Sequence, residues 1–378
     1  MKRSVGIRMA VTAVAATLAL ALAGCSGDDG GTDGDTFKFA VVAEKTGAYA
    51  DYGLQLEAGV KAAVEDINAS GDYDLEFEPV VYDCQSDKSI CVQSARDAVN
   101  ADGLPAVIGP IVSVDILPTA EVTERAKVPH LVMAVLNQIT DDYDNTFRFS
   151  TQSDRSNQTV VDYVKAKLQP GETVAIVNAT TDFGKGGAAQ QKEQLAEVDI
   201  EPVAEIAHDP DQADYTPLVT QLKQADPTYV LLSDSNPADI AKLLRQSKEL
   251  GLQSQWIGAD ASGTIDLAGD AAEGYMTVSP WFPNADNQEL TDKLMAQGID
   301  NPGWISAMAY DATLALAQAV QDGGTSSEEI TKALESLSGF DGLARQGWTF
   351  SSDDRRGQES SQIANWNGQQ YEIVWPES

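Results

Sequence analysis

The chain reads FKFAVVA at residues 37–43, EKTGAYADY at 44–52 and GLQLEAGVKAAVEDIN at 53–68. The first run is short, apolar and rich in β-branched and aromatic residues, which predicts a strand. In the third, Leu56, Val60, Ala63 and Ile67 recur at the interval of one helix face. The polar, glycine-containing middle is the turn between them. The unit then repeats, with strands at 75–82, 106–109 and 130–135 and helices at 89–100 and 115–125. Strands that alternate with helices imply right-handed crossovers and a parallel sheet covered on both faces.

The pattern restarts after residue 150. Helices are expected at 153–168, 186–197, 215–224 and 238–250, and strands at 174–178, 201–207, 228–233, 255–258 and 274–279. Gly184–Lys185–Gly186–Gly187 is too short for a dinucleotide loop and reads as a helix start. Helices at 288–297, 304–320 and 327–336 follow, then strands at 362–366 and 369–374 around Asn367 and Gly368, the residue pair of a type I′ hairpin turn. The fold class is α/β, two doubly wound parallel-sheet lobes. Their approximate bounds are 37–150 plus 280–350 and 151–279 plus 351–378. Such sheets place ligands at the carboxyl ends of their strands, so the loops at 44–53, 110–115, 133–137, 180–186, 234–237 and 260–263 are the ones to watch.

Ahead of this body, Lys2, Arg3 and Arg8 precede an apolar run from Met9 to Leu22 and the segment Leu22–Ala23–Gly24–Cys25. This is the pattern of a bacterial lipoprotein signal, with residues 1–24 removed and Cys25 lipidated. Interrupted by Thr12 and Thr17, the run falls short of the ~20 apolar residues that span a bilayer. Residues 26–36, SGDDGGTDGDT, hold no apolar side chain and read as a flexible tether, since their aspartates lack the spacing of a calcium loop. The expected location is extracytoplasmic, on the cell membrane through the Cys25 lipid.

The chain carries 25 Lys plus Arg against 58 Asp plus Glu. Loss of residues 1–24 leaves 22 against 58, a net charge near −36, and with no basic stripe this excludes nucleic acid as a partner. After lipidation Cys84 and Cys91 remain, seven apart in YDCQSDKSIC, and outside the cytoplasm they are expected to form a disulfide. No nucleophile elbow, HExxH, CxxC, phosphate loop or dinucleotide fingerprint occurs. With only His130 and His208 as histidines, metal and general-base choices reduce to carboxylates. The sequence favours binding over catalysis, with no cofactor and no metal.

The motifs TGAYADYG (46–53), AVEDINASG (63–71), YDCQSD (82–87), VIGPIVS (107–113), VPHLVMA (128–134), DFGKGG (182–187), LLRQSKELGL (243–252), AAEGY (271–275) and AYDA (309–312) occur in this order. Together they resemble the leucine/isoleucine/valine-binding proteins of ABC transporters across nearly all of residues 37–378. The resemblance implies a type I periplasmic-binding fold, two lobes joined by three crossovers, closing on a small solute and delivering it to a membrane permease, with the protein acting as a monomer. It implies that Ser113 and the backbone of Met133, Ala134 and Val135 hold a ligand carboxylate and that Asp260 faces an ammonium. Tyr52 corresponds to an aromatic wall. Val135, Phe183 and Ser235 stand where a Thr and two Tyr are common, so three polar groups of the family site are replaced. From the residues alone, Ser113 and Asp260 also read as capping or turn residues and Phe183 and Tyr52 as core. The expected ligand is a branched-chain or related amino acid. Another small carboxylate or amide, or a role as a tethered ligand sensor, stays open.

Overall fold

The computed structural model describes residues 32–33, 35–136, 138–259, 263–357 and 360–376. The signal segment, Cys25, most of the tether and Asp260 lie outside the described residues.

The first sheet contains β1 (Thr32–Asp33), β2 (Thr36–Ala43), β3 (Glu76–Asp83), β4 (Val107–Ile108), β5 (His130–Val132) and β6 (Thr146–Arg148). β3, β2, β4, β5 and β6 lie side by side, all parallel, and β1 adds an antiparallel pair at the start of β2. Ala40 pairs with Val107 and Val41 with Ile108, which fixes the register at the centre. From Phe39 to Ala43 every residue of β2 is buried, as expected of a parallel strand covered on both faces. Each such fully buried Phe or Val contributes about 1.5–3 kcal/mol.

The helices of this sheet are α1 (Ala50–Ser70), α2 (Lys88–Arg96), α3 (Ser113–Ala126) and α4 (Gln138–Asp141). The helix expected at 89–100 divides: α2 stops at Arg96 and one π turn, Asp97–Ala101, completes it. Cys84 and Cys91 are disulfide-bonded, their Cα atoms 4.5 Å apart, within an apolar cluster that includes Ala40, Val42, Ala98 and Val107.

The second sheet holds β7 (Val174–Ala179), β8 (Ala204–His208), β9 (Tyr229–Ser233), β10 (Gln255–Ala259), β11 (Met276–Ser279), β12 (Gln362–Trp366) and β13 (Tyr371–Trp375), in the order β13-β12-β11-β10-β9-β7-β8. β8 through β11 are parallel, and β12–β13 form an antiparallel hairpin at the edge. Around it lie α5 (Ser153–Lys167), α6 (Asp182–Glu197), α7 (Thr216–Ala225), α8 (Pro237–Glu249) and the short α9 (Thr264–Ala268). The hairpin turn differs from the expected two-residue type. Trp366 pairs with Tyr371, so four residues turn, and Asn367 Oδ1 accepts the amides of Gln369 and Gln370 at 3.0 Å. Only Gly368 of the pair has positive φ, whereas a type I′ turn needs both.

The chain passes between the sheets three times: after β6, after β11 and between Phe350 and β12. After β11 it returns to the first sheet as α10 (Gln288–Ala296), α11 (Trp304–Gly323) and α12 (Ser327–Glu335), which share a core with β2. α11 packs on α1 closely enough that a Cβ at Gly59 would sit 2.1 Å from the Ser306 carbonyl oxygen, so glycine is required there. In α11, the buried Asp311 accepts from the Ala344 and Arg345 amides and the Trp348 indole, each at 2.9 Å, and so pins the segment leading to the third passage. Among the described residues no helix is long and apolar enough to cross a membrane.

Candidate functional site

In the first sheet the strand order reverses direction between β2 and β4, and in the second between β7 and β9. Crevices at such points, beyond the carboxyl ends of the strands, are where open α/β sheets bind ligands. The first turn of α1 meets the loop after β9 directly: the Tyr52 hydroxyl donates to the Ser235 carbonyl at 3.2 Å. Tyr52 also packs on the first sheet's core and stacks on Tyr49, ring centroids 5.9 Å apart.

On the first-sheet side, Ser113 opens α3. The residue before it, Val112, makes no side-chain cap, and the Ser113 hydroxyl makes no hydrogen bond among the described residues. The first amides of a helix lack intrahelical partners, and the helix dipole favours an anion there. Met133 and Ala134 are buried after β5 and Val135 is half-buried. Their loop is held by Arg148, fully buried at the end of β6. Its guanidinium donates to the carbonyls of Ala134 and Leu136 at 2.8 Å and to the Thr140 hydroxyl at 2.9 Å. Ser150 also donates to the Ala134 carbonyl, and the Val135 carbonyl accepts from Ser153 N at 2.8 Å. Burial lowers Arg148 to about 10, which leaves it charged at neutral pH.

On the second-sheet side, Phe183 lies half-buried in the first turn of α6, which Thr181 caps through Gly184 N at 3.1 Å. Ser235 is half-buried beside the buried Asp234, whose Oδ1 accepts from Asn236 N at 2.9 Å and whose Oδ2 lies 3.3 Å from His208 Nε2. Burial works against a charge on His208, but hydrogen bonds and charge from Asp234 outweigh it and hold the imidazole above its ordinary value. Ser113, Met133–Val135 and Tyr52 thus belong to the segments that follow strands of the first sheet, and Phe183 and Ser235 to those that follow strands of the second. Asp260, after β10, lies outside the described residues.

Several residues here were not singled out by sequence reasoning. Glu44, the first residue past β2, has its side chain fully buried and accepts from Ile111 N and Val112 N at 3.1 and 2.9 Å. Burial, only partly offset by those amides, pushes its carboxyl up to about 7. Asp115, 2% exposed in the first turn of α3, is pushed up to about 6 by burial and then by the charge of Asp87. A cavity of about 420 Å³ opens one turn of α1 beyond Tyr52, lined by Gln55, Asp266, Asn301, Trp304, Trp366 and Tyr371. It lies toward the C-terminal hairpin and contains neither Ser113 nor Phe183, so the chemistry of the site is argued from the switch-point loops. Among the described residues no cluster of three or more His, Cys, Asp or Glu could hold a metal ion.

Residues 36–370 match the family model described as periplasmic binding protein. The chain is 28% identical over 309 residues to a leucine-, isoleucine-, valine-, threonine- and alanine-binding protein of Pseudomonas aeruginosa, covering 79% of this chain and 82% of that one. It is 27% identical over 315 residues to a Leu/Ile/Val/Thr-binding protein of Salmonella typhimurium, covering 81% and 84%. In three dimensions it resembles the branched-chain amino acid transporter substrate-binding protein LivJ of Streptococcus pneumoniae, solved with isoleucine, with TM-score 0.80, 23% identity and coverage of 90% and 99%. It likewise resembles an ABC transporter solute-binding protein of Rhodopseudomonas palustris BisB5, solved with 3,4-dihydroxybenzoic acid, with TM-score 0.78, 21% identity and coverage of 90% and 96%.

Proposed function

The chain belongs to the periplasmic binding protein family of solute-binding proteins, and from that premise we propose that it is the lipid-anchored receptor of an ABC importer for a branched-chain or related amino acid. In this reading residues 37–150 plus 280–350 and 151–279 plus 351–378 are two lobes that close on the ligand and present it to a permease, while Cys25 tethers a monomer to the membrane. The observation that carries the ligand class is the open start of α3. Ser113 has an uncommitted hydroxyl there, beside the Met133–Val135 loop, whose Ala134 and Val135 carbonyls are already engaged. Hydroxyl and amide donors without internal partners suit a carboxylate, and charge-assisted bonds supply short-range attraction that a strongly acidic protein cannot supply at long range. Asp260 is assigned to the ligand ammonium.

A thermal-shift screen of amino acids on the purified soluble body tests this. A ligand at 100 times its dissociation constant should stabilise the protein by about 2.7 kcal/mol. Asp260→Ala should weaken the bound amino acid about 10- to 150-fold and abolish preference over its des-amino analogue. Ser113→Ala should weaken it less, because neighbouring amides remain. Equal affinity of the parent for amino acid and keto acid would move the reading to another small carboxylate or amide, which the replacement of polar family groups by Val135, Phe183 and Ser235 also favours. Membrane partitioning of Cys25→Ser tests the anchor; retained attachment would refute it.

A further inference from the structure

The cavity of about 420 Å³ beside the C-terminal hairpin takes its walls from both sheets. Gln55 and Trp304 come from α1 and α11, which pack on the first sheet, and Thr264, Trp366 and Tyr371 from α9 and the β12–β13 hairpin of the second. Gln55, 3% exposed, donates to the Asn301 carbonyl at 2.9 Å and accepts from Gly303 N at 3.0 Å. The side-chain amide of Asn301 in turn donates to both oxygens of Asp266, at 3.2 and 3.0 Å. One wall is therefore pinned to α1 and tied across the gap to α9. At about 420 Å³ the space falls within the roughly 300–1,000 Å³ of small-molecule sites. A cavity of about 150 Å³ already holds benzene, so this one admits a molecule of one or two rings.

The lining has a definite chemistry. Trp304, Trp366 and Tyr371 are half-buried in it, with Tyr371 edge-on to Trp366 at 5.1 Å and tilted against Phe282 at 4.9 Å. Ile265, Met295 and Ile305 add aliphatic surface. Among the described residues of the lining there is no Lys, Arg or His, while Asp266 and Asp300 are present, so an anion would enter unpaired and against like charge. Thr264, in the wall, is 2% exposed, and its hydroxyl has no hydrogen-bond partner among the described residues. An unpaired buried hydroxyl is costly unless a bound molecule supplies the partner. We propose that this cavity binds an uncharged aromatic ring carrying one hydrogen-bonding group, a phenol or an indole, with the ring among Trp304, Trp366 and Tyr371 and its O–H or N–H paired with Thr264. The ring belongs either to a free aromatic solute or to the side chain of a bound amino acid, since Gln55 stands one turn past Tyr52 and Gly263 three residues past Asp260. The inference does not depend on the amino-acid reading.

The test is titration calorimetry of the soluble body with phenol, indole, benzoate, benzylamine, L-tryptophan and L-leucine, on the parent, T264V and Y371L. Phenol or indole should bind at least tenfold tighter than benzoate and benzylamine. T264V should weaken the neutral ring about 2- to 12-fold, the size of one neutral hydrogen bond, and Y371L at least fivefold. Unliganded T264V should unfold at the parent's temperature or higher, because it removes an unpaired hydroxyl; a hydroxyl that serves only folding would lower that temperature and leave ring binding unchanged. Indole that stays bound under saturating L-leucine supports the site as one for a free aromatic solute. L-tryptophan bound at least tenfold tighter than indole supports it as the pocket for an amino-acid side chain. If no aromatic probe binds, the inference is overturned, and binding of L-leucine in that case leaves the amino-acid reading intact. Tighter binding of benzoate or benzylamine than of both neutral rings, or ring binding untouched by T264V and Y371L alike, also overturns it.

Discussion

The Tyr52 hydroxyl donates a 3.2 Å hydrogen bond to the backbone carbonyl of Ser235, joining the first turn of α1 to the loop after β9 across 183 positions of sequence. A contact of this kind exists only while the two sheets face each other closely, so it weights the closed arrangement. Tyr52→Phe keeps the ring and its stacking on Tyr49 but removes the donor. A neutral bond contributes about 0.5–1.5 kcal/mol, so ligand affinity should fall about 2- to 12-fold, through faster release. Unchanged affinity and release rate by stopped flow would show that the bond does not favour closure.

Much of this arrangement was legible because the strands that face two helix layers are short unbroken apolar runs. Phe37 to Ala43, Val174 to Asn178 and Thr228 to Ser233 stand close to where the structure places β2, β7 and β9. The three-residue β6 was not legible. It reads Thr-Phe-Arg, and its Arg148 is buried with its guanidinium bonded to the Ala134 and Leu136 carbonyls, partners that no local pattern encodes. Glu44 falls within a loop marked for attention, yet an acid after a strand normally faces water. Its burial depends on two amides 67 and 68 positions away, which no local pattern encodes. The signal that could have found it is position: it is the first residue past the central strand, at the switch point.

The disulfide spans a short loop, so its chain-entropy contribution is modest. Replacing Cys84 and Cys91 together by Ala should cost about 2.5 kcal/mol in urea unfolding while leaving ligand identity unchanged. Equal stability of parent and double variant would assign the pair no structural role.

His130 gives a pH dependence of known sign. It is fully buried in β5, with Nε2 at 2.7 Å from the Gly109 carbonyl, and burial lowers its pKa from 6.5 to about 4. Between those values the unfolded chain binds the proton and the folded one does not. Stability from this group is therefore complete above about 6.5 and is lost as pH falls toward 4, by about 3 kcal/mol. Glu44 and Asp115, raised by burial, act oppositely, their destabilisation growing as pH rises through 4 to 7. The His130 share is isolated by subtracting His130→Leu, which does not titrate, from the parent across pH 4–7. A flat difference would mean that the imidazole takes up its proton as readily in the fold as in the unfolded chain.

Arg148 is the hub that holds the Met133–Val135 loop, the side of the site proposed to take the carboxylate. One buried guanidinium donates to two carbonyls of the loop, at Ala134 and Leu136, and to Thr140, while its own strand N–H reaches the Arg355 carbonyl at 2.9 Å in the third passage between the sheets. Arg148→Met fills the volume but strands two buried carbonyls and the Thr140 hydroxyl. Removing one side of a buried charged network typically costs about 3–5 kcal/mol. Stability alone would not distinguish a core role from a site role, so the informative comparison is with Arg148→Lys. A lysine can satisfy one or two of these acceptors from a single point but cannot fork to Ala134 and Leu136 together. If Arg148 shapes the Met133–Val135 backbone for the ligand, Arg148→Lys should recover much of the stability in urea unfolding yet still bind ligand at least tenfold more weakly by calorimetry. Recovery of both in parallel would mean that the guanidinium serves folding only, and that the loop reaches its binding shape without it.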